Sequence, residues 1–412
     1  MLKRILFIGL FSLTSLSTIS LADAFCRDAI SRESRDANVA ANGYSKQIRV
    51  AQQRAAQIYQ HGVSGRYPKS ARPPGFAVAV AVNGTLVWAE GFGFADLELC
   101  VPVTSETKFR IGSTSKPLTA VGAALLYEQG KLDLDAPIQR YVPSFPDKGH
   151  VITTRRLLAH LGGIRDYTAA EDKIENQRPY LSVTEGLERF KNDPLVAPSG
   201  TRFSYSSYGY TLISAAIEGS SGQTFLSFMH DKVFLPLGMQ DTVADENDKI
   251  IRDRARWYDI EADGSYRNSP YADLSYKWAG GGFLSTAQDL VRFGSALLQP
   301  GFLKEGTLKE MFTPPQTANG EGNLMPNGGG YGWGWMILGK GFAHVKELRF
   351  EHPGSTTGSS CNLIIYPEHK VVVAWLMNSD ALVERHDRVL YEIASPFFAE
   401  PKVLSRHKSR VN

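Results

Sequence analysis

Continuous and alternating hydrophobic runs lie near both ends of the chain. The segment FAVAVAVNGTLVWAEGFG, residues 76–93, holds two β-rich runs on either side of Asn83-Gly84. Asn-Gly is the dipeptide most typical of a two-residue hairpin. Toward the C-terminus, the runs CNLIIY and VVVAWLMN flank the turn PEHK. These patterns predict strands at both ends of the chain.

The middle of the chain has a helical pattern instead. Leu118, Val121 and Leu125 recur at the spacing of one helix face, and Ser285 with Gln288 forms the capping box of a second predicted helix. The Gly- and Asn-rich stretch TANGEGNLMPNGGGYGWGW predicts a mobile loop at the rim of a site. We therefore predict an α+β fold. Its antiparallel sheet is built from both termini and flanked by helices, with an all-helical subdomain inserted between the strands.

The first 24 residues have the features of a secretory signal. MLKRILFIGLFSLTSLSTISLADA begins with Lys3 and Arg4, continues with an apolar stretch and ends in a small-x-small pattern at Ala22 and Ala24. Cleavage after Ala24 would export the protein, and we expect a periplasmic location. An uncleaved membrane anchor is the alternative.

The remaining chain divides into three parts by composition. Residues 25–70 are polar, with one predicted helix at KQIRVAQQRAAQIYQHG, and the Pro-rich segment RYPKSARPPG links them to the main domain. The main domain covers 71–398 and ends in a predicted helix over 385–398, and a polar tail occupies 399–412. The chain of 412 residues, 43% of them hydrophobic, is long enough for one large domain or two.

Charge and missing motifs exclude several classes of function. The net charge of +3 gives no argument for a nucleic-acid partner. No H-E-x-x-H, C-x-x-C or Walker A pattern occurs, so we expect no metal and no cofactor. The three cysteines Cys26, Cys100 and Cys361 allow at most one bridge within the chain. A Cys100–Cys361 pair is conceivable, but we expect both to be buried free thiols.

The segment RIGSTSKPLTA, residues 110–120, carries the main candidate chemistry. One interpretation is structural: Ser113 or Ser115 caps the following helix, and Lys116 is a solvated charge. The other is catalytic. A helix that begins near Ser113 puts Lys116 one turn along, within reach of the Ser113 hydroxyl. A lysine screened from water can act as the base that a serine nucleophile needs.

Two later segments offer the groups that a serine nucleophile would need in addition. Tyr205-Ser206-Ser207 lies between a Pro-Ser-Gly turn and an apolar helix, so Tyr205 is a candidate acid or base; an aromatic core turn is the structural alternative. FEHPGSTTGSS offers His352 and, in Gly354, a residue that allows close backbone approach. No G-x-S-x-G elbow occurs, which disfavours the α/β-hydrolase arrangement.

The order S-x-x-K, Y-x-S, H-x-G resembles the serine β-lactamase and penicillin-recognising superfamily. Within it, the chain resembles the β-lactamase-related serine hydrolases of the class C type over roughly residues 70–395. The blocks YSSYGYTLI and GGFLSTAQDLVRF are similar to those of bacterial relatives of mitochondrial serine β-lactamase-like proteins. The fold that this resemblance implies, β-lactamase/transpeptidase-like, agrees with the strands and helices predicted above.

The resemblance also implies roles for individual residues. Ser113 would be the acylated nucleophile and Lys116 its activating partner. Tyr205 would be the general acid and base, its pKa lowered by Lys116. Substrate contacts would come from Ser207, His352, Gly354 and Ser355, and the backbone N–H groups of Ser113 and Ser355 would form the oxyanion hole. His160, in the block LLAHLGGI, is assigned to structure.

Two departures from the family pattern bear on the substrate. Ser207 stands where class C β-lactamases usually have Asn, and His352-Pro353-Gly354 replaces Lys-Thr-Gly, so a fixed positive charge is missing. Both departures favour a peptidase or esterase over an efficient β-lactamase. Any cephalosporin turnover should increase as the pH falls toward about 6 and His352 gains a proton.

The sequence therefore predicts an exported serine hydrolase that acts through an acyl-enzyme on Ser113. Its partner would be a small-molecule or peptide substrate with an amide or ester bond, such as a small peptide or a cell-wall-type fragment. A weak β-lactamase or a D-Ala-D-Ala carboxypeptidase is the alternative within enzymes. A catalytically silent scaffold or binding protein of the same fold is the alternative from another class. The sequence leaves the oligomeric state open.

Overall fold

The computed structural model describes residues 43–61, 72–168, 171, 178–339, 347–379 and 386–399. The predicted signal segment, most of the predicted linker and residues 400–412 of the polar tail lie outside these ranges. The helices are α1 Ser45–His61, α2 Ser115–Glu128, α3 Thr154–Leu158, α4 Val183–Leu187, α5 Ser207–Ser221, α6 Phe225–Met229, α7 Trp278–Gly281, α8 Ala287–Ala296, α9 Glu305–Met311 and α10 His386–Ala394. The strands are β1 Gly75–Val82, β2 Thr85–Asp96, β3 Val101–Pro102, β4 Phe109–Arg110, β5 Val243–Ala244, β6 Tyr258–Ile260, β7 Tyr266–Asn268, β8 Phe283–Ser285, β9 Gly330–Tyr331, β10 Met336–Leu338, β11 Arg349–Thr356, β12 Ser359–Tyr366 and β13 Val371–Met377.

Strands from both ends of the chain form one eight-stranded antiparallel sheet in the order β3-β2-β1-β13-β12-β11-β10-β9. Strand β1 pairs with β13, with Ala79 opposite Ala374, so the two termini meet at the centre of the sheet. The β1–β2 turn is the predicted hairpin, with positive φ at Asn83 (52°) and Gly84 (79°). The prediction of an α+β fold built from both termini is confirmed.

The two faces of the sheet are buried against different helices. In β1, Phe76, Val78 and Val80 belong to the hydrophobic cluster that includes residues of α1 and α10. The alternate residues are alanines, and they belong to the larger core on the other face. Helix α8 packs closely on that face, because a Cβ added at Gly294 would lie 2.7 Å from Val372 Cγ1. Small residues on both sides thus bring α8 against the sheet.

Helices α2 to α9 lie in the chain between β4 and β9, which is the insertion that the sequence predicts. The insertion is not all-helical as predicted, because strands β5 to β8 lie within it: the sheet β4-β8-β5 has three strands and β6-β7 has two. Helices α2, α5 and α7 pack on one another, and α7 also meets β11. The candidate site lies where these three helices approach β11. No helix in the described ranges is long and apolar enough to cross a membrane.

Three local predictions are corrected by the structure. The cap of α8 is Thr286, whose side chain accepts from Asp289 N, so the predicted box at Ser285 is one residue out of register. The Gly- and Asn-rich stretch that predicts a rim loop ends in buried residues, among them Tyr331 in β9. Cys361 is a buried free thiol as expected, but Cys100 is disulfide-bonded.

Candidate active site

Ser113 lies in a 3-10 turn, Gly112–Thr114, between β4 and α2. Its side chain is partly exposed. The turn is tied to the sheet from behind, since Thr114 Oγ1 donates to His352 O at 2.8 Å and Cys361 Sγ donates to Ile111 O at 3.0 Å. The residue that caps α2 is Thr114, and it makes no side-chain cap bond. The interpretation of Ser113 as a helix cap is therefore wrong.

Lys116 is fully buried and reaches three oxygen acceptors. Its Nζ donates to Ser113 Oγ at 3.0 Å, to Ser207 Oγ at 3.2 Å and to Gly280 O at 2.8 Å. Burial lowers the pKa of Lys116 to about 7, against an ordinary value of 10.5. A neutral amine keeps two N–H donors and gains a lone pair, so it can accept the proton of the Ser113 hydroxyl.

Two charged residues that the sequence analysis did not single out lie beside this lysine. Asp166 Oδ1 accepts from Ser207 N at 2.8 Å, and its negative charge partly opposes the fall in the pKa of Lys116. Lys277 is buried, with its Nζ 4.7 Å from the ring centroid of Tyr167, and its positive charge lowers the pKa of Lys116 further. The block GGIRDY carries Asp166 and Tyr167, and the segment YKWAGGG carries Lys277. A charged residue next to glycines in each of these segments is the sequence signal that could have identified Asp166 and Lys277.

Tyr205 lies two residues before α5, and its side chain makes a hydrogen bond with Ser113. Lys116 Nζ lies over the ring of Tyr205, 4.7 Å from its centroid. Desolvation raises the pKa of Tyr205 well above its ordinary value, and the hydrogen bond with Ser113 only partly opposes this rise. The expectation of a phenol pKa lowered by Lys116 is therefore wrong, and Tyr205 carries its proton at neutral pH.

Ser207 is buried at the start of α5 and faces Lys116. Its Oγ lies 3.4 Å from the Tyr167 hydroxyl, to which it donates. The preceding residue, Ser206, caps α5 through Gly209 N at 2.9 Å and donates to Arg165 O at 2.7 Å. Both serines are thus held by hydrogen bonds within the protein.

His352 is buried under the site, with 1% of its surface exposed. Its Nδ1 lies 2.7 Å from Pro353 O, and its Nε2 lies 2.9 Å from the Tyr331 hydroxyl. Burial and the nearby charge of Lys116 lower the pKa of His352 to about 3. The expectation that His352 gains a proton near pH 6 and then holds an acidic substrate group is therefore wrong.

Backbone contacts bring the H-P-G strand against the turn that carries Ser113. A Cβ added at Gly354 would lie 2.0 Å from Ile111 O, so only glycine fits there. A Cβ at Gly112, where φ is +46°, would lie 2.7 Å from Ser355 N. The exposed Ser355 and its backbone amide therefore lie next to the turn. Backbone N–H groups beside a nucleophile can stabilise a negatively charged oxygen.

The structure thus brings Ser113, Lys116, Tyr205 and Ser207 into one hydrogen-bonded group, with Ser355 beside it. His352 is buried next to this group, and Gly354 allows β11 to approach the turn that carries Ser113. No cluster of three or more His, Cys, Asp or Glu side chains that could hold a metal occurs in the described part of the chain. A partly exposed serine hydroxyl, a lysine of lowered pKa and a protonated tyrosine have the composition of an acyl-transfer site.

The fold and this arrangement place the protein in the β-lactamase/transpeptidase-like class. The family model described as Beta-lactamase matches residues 51–395 of the chain. The chain belongs to this beta-lactamase family of serine hydrolases.

Curated relatives include the mitochondrial serine beta-lactamase-like protein LACTB of Homo sapiens. It is 35% identical over 382 residues, which cover 72% of this chain and 69% of the relative. Penicillin-binding protein 4* of Bacillus subtilis is 27% identical over 344 residues and covers 79% of this chain and 72% of the relative. Among solved structures, the octameric penicillin-binding protein homologue from Pyrococcus abyssi superposes with a TM-score of 0.70 at 26% identity, covering 86% of this chain and 78% of its own.

Proposed function

We propose that the protein is an exported serine hydrolase that cleaves amide or ester bonds of small peptides or cell-wall-type fragments through an acyl-enzyme on Ser113. The observation that carries this proposal is the 3.0 Å contact between Lys116 Nζ and Ser113 Oγ, because the lysine is fully buried and its pKa is about 7. The nucleophile therefore has a base beside it at neutral pH. Export rests on the predicted signal segment.

In the proposed acylation, Ser113 Oγ attacks the substrate carbonyl carbon while its proton passes to the neutral amine of Lys116. A C–O bond forms, and the carbonyl oxygen becomes an oxyanion that accepts from the backbone N–H groups of Ser113 and Ser355. The tetrahedral intermediate then collapses, and the bond to the leaving group breaks. Tyr205 donates its phenol proton to the leaving nitrogen or oxygen, which departs neutral.

In the proposed deacylation, a water molecule takes the place of the leaving group. The Tyr205 phenolate removes a proton from this water and returns to its starting state while the new C–O bond forms. The second tetrahedral intermediate expels Ser113 Oγ, which takes back the proton held by Lys116. Lysine thus exchanges a proton only with the serine, and tyrosine exchanges one only with the leaving group and water.

The surroundings of the site favour ordinary peptides and esters over β-lactams. Ser207 is buried, and its short side chain already accepts from Lys116 at 3.2 Å, so it offers a substrate amide fewer contacts than a longer carboxamide would. His352 is buried and its pKa is about 3, so the third motif supplies no positive charge for a substrate carboxylate. Each missing contact of this kind typically costs about 1–3 kcal/mol. β-Lactamase activity is therefore proposed as weak at most.

A covalent probe and a substrate panel test this proposal together. Wild type should react with a fluorophosphonate, and intact mass with peptide mapping should place the adduct on Ser113. It should also turn over at least one of a short-chain aryl ester, an aminoacyl amide and a D-Ala-D-Ala peptide, faster than a chromogenic cephalosporin. Ser113→Ala should lose both properties.

The matched control is Ser115→Ala, in the same segment. Ser115 is buried, and its Oγ accepts from Phe283 N at 3.5 Å, away from the proposed nucleophile. This variant should keep the labelling. A wild-type protein that neither labels nor turns over any substrate would be a scaffold of this fold, and the proposal would be wrong.

A further inference from the structure

His160 holds the segment around Tyr205 from both sides. The residue before Tyr205 donates to the His160 backbone, from Ser204 N to His160 O at 2.8 Å, and the residue after it donates to the imidazole, from Ser206 N to His160 Nδ1 at 3.1 Å. The His160 ring also packs on the Tyr205 ring, with centroids 4.2 Å apart. His160 therefore holds both the backbone on either side of Tyr205 and the Tyr205 ring in place.

The same histidine begins a chain of hydrogen bonds that ends at the H-P-G strand. His160 Nε2 lies 3.0 Å from the Tyr331 hydroxyl, and that hydroxyl lies 2.9 Å from His352 Nε2. At the far end, His352 Nδ1 lies 2.7 Å from Pro353 O. The chain thus joins the backbone of the Y-S-S segment to the backbone of β11.

The direction of every bond in this chain follows from its two ends. A backbone N–H can only donate, so Nδ1 of His160 accepts from Ser206 and the proton of the neutral ring sits on Nε2. A carbonyl can only accept, so His352 carries its proton on Nδ1 and its Nε2 accepts. The Tyr331 hydroxyl therefore accepts from His160 and donates to His352. Burial lowers the pKa of both histidines, so both rings are neutral, and two neutral rings of opposite tautomer satisfy all four bonds.

The three residues of this hydrogen-bond chain are buried, and the backbone of one of them is strained, which lowers the stability of the fold. His160, Tyr331 and His352 are 2%, 0% and 1% exposed. His160 also has a φ of 57°, a left-handed backbone conformation that residues other than glycine adopt at the expense of stability. A strained backbone at a residue with this many directed contacts is typical of a positioning role.

We infer that the chain His160–Tyr331–His352 positions the Tyr205 hydroxyl for proton transfer to the leaving group. This inference rests on the proposed function and assigns positioning residues for it, with Tyr331 as the link. None of the three touches the reacting atoms. Their role is to set the distance between the phenol and the departing atom, and proton transfer depends steeply on that distance.

Leaving-group chemistry separates this role from a general structural one. A nitrophenolate ion leaves without a proton, because nitrophenol is a far stronger acid than ethanol, whereas an alkoxide from an ethyl ester must be protonated as its C–O bond breaks. A misplaced Tyr205 therefore slows cleavage of the ethyl ester and spares the nitrophenyl ester. A loss of folded protein slows both equally.

The test is Tyr331→Phe, which removes one hydroxyl and keeps the ring. With nitrophenyl and ethyl esters of the same acyl group, we expect kcat/KM for the ethyl ester to fall about 30-fold and that for the nitrophenyl ester to fall less than about 3-fold. The ratio of the two constants does not depend on the folded fraction. A second variant, His160→Asn, tolerates the positive φ and breaks the same chain, so it should change the ratio in the same direction.

Tyr258→Phe is the control for loss of a buried tyrosine hydroxyl. That hydroxyl accepts from Leu97 N at 2.8 Å and belongs neither to the hydrogen-bond chain nor to the active site. The ratio of kcat/KM for the two esters should therefore keep its wild-type value. An unchanged ratio in Tyr331→Phe and His160→Asn, with wild type active through Ser113, would overturn the inference alone. No turnover of either ester by wild type would overturn the proposed function and the inference with it.

Discussion

Lys116 lies over the face of the Tyr205 ring, with its Nζ 4.7 Å from the ring centroid. The same Nζ donates a hydrogen bond to Ser113 Oγ at 3.0 Å. The two residues therefore have separate tasks in the proposed reaction. Lys116 exchanges a proton with the nucleophile, while Tyr205 keeps its own proton until a leaving group needs it. This division governs the pH dependence that we expect.

The acid side of the pH profile should belong to Lys116. Its active form is the neutral amine, and burial lowers its pKa to about 7, so kcat/KM should rise as the pH increases through about 7 and level off above it. Rates measured on an aryl ester across the neutral range test this. Lys116→Arg, whose guanidinium keeps its proton, should lose at least about 100-fold at every pH. Wild-type rates that fall as the pH rises would contradict the assignment.

Replacing Asp166 or Lys277 should shift the acid limb of the pH profile, the part in which kcat/KM rises with pH, in opposite directions. The charge of Asp166 raises the pKa of Lys116, so Asp166→Asn should shift the limb to lower pH. The charge of Lys277 lowers that pKa, so Lys277→Gln should shift the limb to higher pH. Each variant serves as the control for the other, because a general disturbance of the site would not shift the limb both ways. Shifts in the same direction would show that another group titrates.

The fold could be predicted from the sequence because its signals are local. The Asn83-Gly84 hairpin and the uniformly hydrophobic runs near both termini are patterns within a few residues, and sheets bury such runs in predictable ways. The spacing of Ser113 and Lys116 is also local, since one helical turn fixes their distance. The predictions of protonation states failed, because the pKa of a side chain depends on neighbours that are distant in the sequence.

The state of His352 is the clearest example. A histidine in a strand carries no sign of its burial, and its partner Tyr331 comes from a stretch whose glycines and asparagines predict a loop. Burial and the charge of Lys116 then fix its neutral state. Likewise, the pKa of Tyr205 depends on desolvation by residues from several segments. Composition and spacing do not contain that information.

Gly112 should tolerate no side chain. Its φ is +46°, and a Cβ would lie 2.7 Å from Ser355 N and from Ser355 O, both backbone atoms. Gly112→Ala should therefore separate the two amides of the proposed oxyanion hole and lower kcat/KM by at least about 100-fold. The matched control is Gly130→Ala, where φ is +68° but nothing lies within 4 Å. It should cost about 1–2 kcal/mol of stability and leave kcat/KM unchanged. Equal activity in both variants would contradict this account.

His352 should also make the protein less stable in acid. In the unfolded chain its pKa is near 6.5, whereas in the folded protein it is about 3. Between these values the unfolded state binds a proton that the folded state does not, so this contribution to stability is fully present above about pH 6.5 and is lost as the pH falls toward about 3. The loss from this residue amounts to roughly 1 kcal/mol per pH unit inside that window. In His352→Asn, urea unfolding at several pH values should therefore give a free energy of unfolding that depends less steeply on pH than in wild type. Because other titrating groups are common to both proteins, the difference between the two slopes isolates His352, and identical slopes would mean that the histidine is protonated in the folded state.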